Sequence, residues 1–244
     1  MKTIVIIPSR LAATRLPNKP LLKINGLSII SHVFRKAEQA GIGEVFVATE
    51  DQEIVDDVKI NGGQAILTSS SHRTGTDRIY EALKKMGRFD IELVMNLQGD
   101  EPLIDISDIV NLRDQMIKNQ SKLGTLASKM NDNNLLDQQN IVKVVTDENL
   151  EISNFPKAKN FARKLINSGE NIYKHLGVYC FEQETLKNFT SLKQSDNEIK
   201  NNLEQLRALD NNIIINVALA KESSIGVDTH EDFVAIKKIM EYKN

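Results

Sequence analysis

One cysteine, Cys180, occurs in 244 residues, which excludes an intramolecular disulfide and any cysteine-cluster metal site. Such sparing use of thiol chemistry leads us to expect a cytoplasmic protein. No apolar run is long enough to cross a bilayer. The start of the chain passes from Met1, Lys2 and Thr3 into Ile4, Val5, Ile6, Ile7 and Pro8, too short an apolar stretch for a signal peptide, so no membrane insertion is expected. Charge of either sign is not in excess: the formal net charge is −2 and the sequence pI about 6.1. That balance argues against nucleic acid or an acidic membrane surface as partner. There is no Gly-x-x-x-x-Gly-Lys-Ser/Thr run and no Gly-x-Gly-x-x-Gly after the first strand, so a P-loop NTPase and a Rossmann dehydrogenase are excluded. Internal repeats and low-complexity linkers are missing too, although asparagine is frequent. What remains is 41% hydrophobic and 26% charged. It can bury a large core as a single domain spanning residues 1–244, or as a domain with an appendage.

The first apolar run is the most informative feature present. Ile4, Val5, Ile6 and Ile7 are four consecutive β-branched residues, a strand covered on both faces as in a parallel sheet. Ligands of such sheets bind beyond the carboxyl ends of the strands, where Arg10, Arg15 and Lys19 fall. Two guanidinium forks and an ammonium can neutralise the three phosphates of a nucleoside triphosphate, with loop N–H groups as further donors. Pro8, Pro17 and Pro20 restrain the loop. Taken alone, the same cations also fit a solvated basic loop.

Strand and helix patterns then alternate. Ile29, Ile30, Val33, Phe34 and Ala37 recur at helical spacing before Gly41, and residues 45–48 read as a strand. Asp51 is a candidate N-cap for a helix carrying Ile54, Val55 and Val58 that stops at Gly62 and Gly63. A strand at 65–68, a helix at 76–85 and a strand at 93–97 follow. This β-α-β-α-β order implies right-handed crossovers and an α/β fold with a doubly wound, mostly parallel sheet. The second half is less regular. Strands are expected at 125–130, 142–145 and 176–181, a loop at the Asn-rich 131–140, and weak periodicity over 149–173. We read about 131–175 as an inserted or flanking element suited to a subunit interface. A helix near 197–209, a strand at 213–219 and a helix near 230–242 close the chain.

Two aspartates stand out at turns. Gln98-Gly99-Asp100-Glu101-Pro102 follows a strand, so Asp100 falls on the same sheet edge as the cationic loop. A carboxylate there either serves the turn or holds the magnesium ion that accompanies nucleotide phosphates. In Gly226-Val227-Asp228-Thr229, Asp228 or Thr229 either caps the last helix or, in Asp228's case, supplies a second metal ligand; two aspartates at turns beside the cationic loop favour the metal reading. The run Ser71-His72-Arg73-Thr74-Gly75-Thr76-Asp77-Arg78 follows a strand and opens a helix. Its first N–H groups offer an anion or base-edge site, and Gly75 allows close backbone approach. Thr76 or Asp77 is a compatible cap, and His72 is read as a structural hydrogen-bonding residue with no catalytic role.

These blocks, with Asn96-Leu97, Val142-Lys143-Val144-Val145, His175-Leu176-Gly177-Val178-Tyr179 and Leu203-Glu204-Gln205-Leu206-Arg207, occur in an order that closely resembles the 3-deoxy-manno-octulosonate cytidylyltransferases, or CMP-Kdo synthetases, over almost the full length. The resemblance implies a nucleotidyltransferase fold and a reaction of CTP with the acidic sugar Kdo, giving CMP-Kdo and pyrophosphate for lipopolysaccharide assembly. It implies a nucleotide side of Pro8, Arg10, Arg15, Lys19, Arg73, Gly75, Thr76 and Arg78. On the sugar side it implies Gln98, Pro102, His175, Tyr179, Glu204 and Gln205. Asp100 and Asp228 would be the Mg²⁺ ligands and, with Arg10 and Lys19, the catalytic set. A homodimer is the family's usual state. One segment departs from the family: where relatives commonly read aromatic-Ser-Arg ahead of an Ile-Pro pair, this chain has Ser153-Asn154-Phe155-Pro156, with Lys157 and Arg163 as nearby cations. Sialic acid or an amino-substituted Kdo as the sugar, and a non-catalytic nucleotide-binding regulator, are the alternatives.

Overall fold

The computed structural model describes residues 1–12, 15–130, 136–164, 170–221 and 226–242. In chain order its elements are β1 (Thr3–Ser9), a 3-10 turn (Lys19–Leu21), β2 (Lys23–Ile24), β3 (Leu27–Ser28), α1 (Ile29–Gln39), β4 (Glu44–Thr49), α2 (Gln52–Ile60), β5 (Ala65–Leu67), α3 (Gly75–Lys85) and β6 (Leu93–Asn96). There follow α4 (Ile106–Asn119), β7 (Leu123–Ser128), β8 (Lys143–Thr146), β9 (Ala158–Ala162), β10 (Ile172–Glu182), α5 (Gln183–Ser191), α6 (Asp196–Asn201), α7 (Leu206–Asp210), β11 (Asn216–Leu219) and α8 (His230–Tyr242). The mixed, mostly parallel α/β architecture expected from the sequence is present. The chain groups into two compact units: Lys2–Ile106 with Ser224–Asn244, and Ser107–Ser223 with Met1.

In the first unit, β1 pairs in parallel with β4 on one side and β6 on the other, and β4 pairs in parallel with β5. The four β-branched residues of β1 are fully buried, as a strand covered on both faces requires. Helix α1 buries Ile29, Ile30, Val33, Phe34 and Ala37, an i, i+1, i+4, i+5, i+8 stripe, and starts where Ser28 Oγ accepts the Ser31 N–H at 3.2 Å. Running outward from β1 to β4 and β5, the chain then returns to place β6 on β1's other side. The strand order therefore reverses between β1 and β6, the position where open α/β sheets bind ligands.

Two expected caps differ. Asp51 stands at the N-cap of α2, but its carboxylate accepts the Leu11 N–H at 2.7 Å and so ties down the loop after β1. Thr76 and Asp77 lie within α3, which Thr74 caps by accepting the Asp77 N–H at 3.2 Å.

In the second unit, β7 pairs in parallel with β11 and antiparallel with β10, and β10, β8 and β9 continue antiparallel. Helices α4 and α5 and strand β9 lie where no element was expected. In β9 only Ala158 and Phe161 are buried, so alternation is too weak to read from sequence. The single helix expected near 197–209 is two short ones, separated by Asn202 in the left-handed region at φ 51°. Of the expected loop at 131–140, residues 131–135 fall outside the described residues. Buried Lys143 explains the charged residue in its apolar block: its ammonium donates to the carbonyls of Gln138 at 2.6 Å and Arg163 at 2.7 Å.

Candidate active site

The carboxyl ends of β1 and β6 open into a pocket of about 400 Å³ in the first unit, a volume suited to a small-molecule ligand. Its lining includes Pro8, Ser9 and Arg10 from the end of β1, and Gln98, Gly99 and Asp100 from the turn after β6. Arg15, Lys19 and Pro20 come from the loop, His72, Arg73, Thr74, Gly75 and Arg78 from the start of α3, and Asp228 from the turn before α8. Five cationic side chains thus face two carboxylates, giving a net positive enclosure for an anion.

Backbone packing fixes this convergence. A Cβ on Gly75 would lie 3.2 Å from the Pro8 ring, and one on Gly99 would lie 3.0 Å from the Pro8 carbonyl oxygen. At both positions a Cβ would meet the end of β1 more tightly than is usual, so glycine favours the close approach. We expect Gly75→Ala to crowd the Pro8 ring and weaken the binding of a ligand in this pocket about tenfold or more, since small displacements of a positioning element are costly. Calorimetric titration of the variant and the wild-type protein with candidate anionic ligands, nucleoside triphosphates among them, would check this. Below the pocket, Leu16, Ile24, Ile29, Val227 and Ile236 form an apolar cluster that anchors the cationic loop to the Val227 turn. The Val227 N–H donates to the Asp100 carbonyl at 2.9 Å, so the two aspartate-bearing turns are tied directly together.

The aspartates and Lys19 form one cluster. Lys19 Nζ donates to Asp100 Oδ2 at 2.6 Å and to Asp228 Oδ1 at 3.4 Å, with Lys19 only 14% exposed. Arg15 Nη2 lies 3.1 Å from the same Asp228 oxygen. Helix α8 is capped by others: Thr229 Oγ1 accepts the Asp232 N–H at 3.2 Å, and Asp232 Oδ2 accepts the Thr229 N–H at 2.9 Å. The Asp228 carboxylate is turned to the pocket cations and does not serve as the helix cap. Two carboxylates already sharing one ammonium are hard oxygen donors placed together, and they fit a divalent cation that takes its other ligands from phosphate oxygens and water. Among the described residues no cluster of three or more His, Cys, Asp or Glu could hold a metal ion by protein ligands alone.

Most of the sequence-predicted nucleotide residues are gathered here. Arg10 and Arg73 are exposed on the pocket wall. Arg78 is 3% exposed, and its guanidinium pairs with Glu50 and donates to Thr68 Oγ1 at 2.7 Å while lining the same wall. Thr76 is 2% exposed inside the first turn of α3 and does not line the pocket, nor does buried Pro102. Ser9, Ala12, Pro20, His72, Thr74 and Gly99 line it without having been singled out as site residues. His72, Thr74 and Gly99 fall within the motif blocks and Pro20 within the proline-restrained loop, whereas Ser9 and Ala12 carried no signal beyond adjoining the cationic loop.

His175, Tyr179, Glu204 and Gln205 belong to the second unit. There His175 packs against Phe161 and Tyr179, with ring centroids 5.0 and 5.5 Å away, and its Nε2 lies 3.0 Å from Thr125 Oγ1. Burial lowers the His175 pKa from 6.5 to about 3, so the ring is neutral at working pH. Burial, followed by the neighbouring Glu204 charge, pushes the Tyr179 hydroxyl well up, so it remains a donor. Three of the four residues thus share one neighbourhood.

A parallel α/β unit that gathers a cluster of cations and a carboxylate pair at its strand reversal is a nucleotidyltransferase in type. The family model described as cytidylyltransferase matches residues 4–222. A 3-deoxy-manno-octulosonate cytidylyltransferase of Thermodesulfovibrio yellowstonii is 41% identical across 98% of this chain and 98% of its own. One from Glaesserella parasuis is 38% identical, with 98% of each chain covered. Among solved structures, a CMP:2-keto-3-deoxy-manno-octonic acid synthetase complexed with CTP aligns at a TM-score of 0.90 and 32% identity over 100% of both chains. A 4-diphosphocytidyl-2C-methyl-D-erythritol synthase from Anaerococcus prevotii, 15% identical, shares the fold at a TM-score of 0.66 over 98% of this chain and 99% of its own. The chain belongs to the 3-deoxy-manno-octulosonate cytidylyltransferase family.

Proposed function

We propose that this enzyme couples CTP to the acidic sugar Kdo, releasing pyrophosphate and producing CMP-Kdo for lipopolysaccharide biosynthesis. The observation that carries the reading is the pocket at the β1/β6 reversal, where Arg10, Arg15 and Lys19 stand beside the Asp100 and Asp228 carboxylates in a chain related over its full length to Kdo cytidylyltransferases. The sugar's anomeric hydroxyl gives up its proton to solvent and its oxygen forms a bond to the α-phosphorus as the bond from that phosphorus to the pyrophosphate oxygen breaks. The pyrophosphate leaves toward Arg10, Arg15 and Lys19, whose charges balance the negative charge it carries away. Such transfers depend on positioning and charge neutralisation, so no Ser-His-Asp or Cys-His set is needed. Asp100 and Asp228 would hold Mg²⁺, which when bound neutralises phosphate charge and lowers the pKa of the attacking hydroxyl.

On the sugar side we place Gln98, Pro102, His175, Tyr179, Glu204 and Gln205, with neutral His175 acting through hydrogen bonding and not as a cation. Asn154 is exposed in this chain, and a neighbouring cation such as Lys157 or Arg163 would stand in for the arginine that the family resemblance implies in this segment. The enzyme would work as a cytoplasmic homodimer whose interface draws on about 131–175. Pyrophosphate release measured with each of the four nucleoside triphosphates, with and without Kdo, tests the reading. We expect release with CTP and Kdo together. Release with sialic acid or an amino-substituted Kdo in preference to Kdo would reassign the sugar, and CTP binding without any release would make the protein a regulator.

A further inference from the structure

The loop between β5 and α3 supplies His72, Arg73 and Thr74 to the pocket wall, and its ends are held by the β5 strand and by the Thr74 cap. Its middle is held by Glu81, a side chain that is not part of the pocket lining. The Glu81 carboxylate, on the second turn of α3, accepts the Ser69 N–H at 3.2 and 3.1 Å, pairs with His72 Nε2, and receives Lys85 Nζ at 2.7 Å. It is partly buried, at 17% side-chain exposure, and does not line the pocket. Burial works to raise its pKa, but the hydrogen bonds from Lys85, His72 and Ser69 prevail and hold it near 2, so the carboxylate stays ionised through the working range. From the other side Arg78, three residues earlier on the same helix, donates to Thr68 Oγ1 at 2.7 Å. Two charged residues of one helix therefore fix successive residues of the loop, and charge-assisted bonds of this kind are the strong ones.

We propose that Glu81 is a positioning residue for nucleotide binding: by gripping Ser69 and His72 it holds the loop in its binding conformation before the nucleoside triphosphate arrives. The inference rests on the reading that this pocket takes the triphosphate. Without the grip, each binding event would have to order the loop and bear that entropy cost, so affinity falls while the bound complex stays competent.

The test is Glu81→Gln, which is isosteric and helix-compatible, alongside Glu81→Asp, which keeps the charge but shortens the reach. We expect the KM for CTP to rise about tenfold or more in both, with kcat and the KM for Kdo within about twofold. Amide hydrogen exchange of the nucleotide-free protein should speed up over residues 69–75 and stay unchanged in the later turns of α3. A purely structural role would instead lower the active fraction, so kcat would fall with the KM for CTP unchanged, and that result overturns the proposal. Unchanged nucleotide KM and unchanged exchange in both variants overturns it equally. Calorimetric titration of the wild-type protein with CTP separates the two readings: if the wild type takes up no CTP, the nucleotide reading fails and the positioning role falls with it, whereas normal wild-type binding with unaltered variants removes Glu81 alone.

Discussion

Asp228→Asn should lower turnover by about a hundredfold or more while leaving the fold intact, as removal of one preorganised charge-stabilising group can do. The amide keeps the size of the side chain but not its charge, and the charge is what the site uses: Asp228 Oδ1 faces both Lys19 and Arg15 across the pocket. Structural damage is not expected, because the cap of α8 is built by Thr229 and Asp232. Pyrophosphate release at saturating CTP and Kdo, with magnesium not in excess, measures the effect, and a thermal melt checks the fold. Near-normal turnover in a folded variant would remove Asp228 from the mechanism.

The second large effect concerns stability. Arg207 is 1% exposed and Glu198 3%, and they form a two-pronged ion pair at 2.8 and 2.6 Å, with the guanidinium 4.6 Å from the Phe189 ring centroid. Removing one member leaves the other charge buried without its partner, which typically costs about 3–5 kcal/mol. We expect Arg207→Met to lower stability by that order in urea unfolding, and the double variant Glu198→Gln, Arg207→Met to recover much of the loss. A double variant no more stable than Arg207→Met alone would show that the cost lies in lost packing on Phe189. Burial works to raise the Glu198 pKa, but its bonds to Arg207 and Gln194 prevail and lower it below the ordinary 4.5. A carboxylate depressed on folding contributes fully above its unfolded pKa and loses that contribution as pH falls through the folded one. The pair should therefore hold above about pH 4.5 and weaken in more acidic solution.

The first unit was legible because its signals are local. The β1 run, the α1 stripe and the glycine stops are each set within a few residues, and the structure reproduces them with shifts of a residue or two at the ends. Strand β9 and the break at Asn202 were not legible. Only two residues of β9 face the core, and Asn202 stops α6 by adopting a left-handed conformation that asparagine tolerates but does not announce. The caps were misassigned for a similar reason. Asp51 has the right chemistry for capping α2, yet its carboxylate is claimed by Leu11, 40 residues away.

In the site, residue type alone singled out the cationic loop and the two candidate aspartates, which the structure brings to one pocket. Taken singly, each aspartate was left open between turn and ligand. The tertiary structure brings both carboxylates to Lys19, with the Val227 N–H bound to the Asp100 carbonyl and the α8 cap built by Thr229 and Asp232. Glu81 shows the same division. As one carboxylate on an amphipathic helix it carries no signal, and only the folded loop brings Ser69 and His72 onto it. The sequence by itself determined the α/β class, the cationic loop after the first strand and the family, because periodicity and ordered motifs are properties of the linear chain. Which oxygen meets which cation was decided only by the tertiary structure, since those contacts join residues up to 209 positions apart and depend on packing that no local pattern encodes.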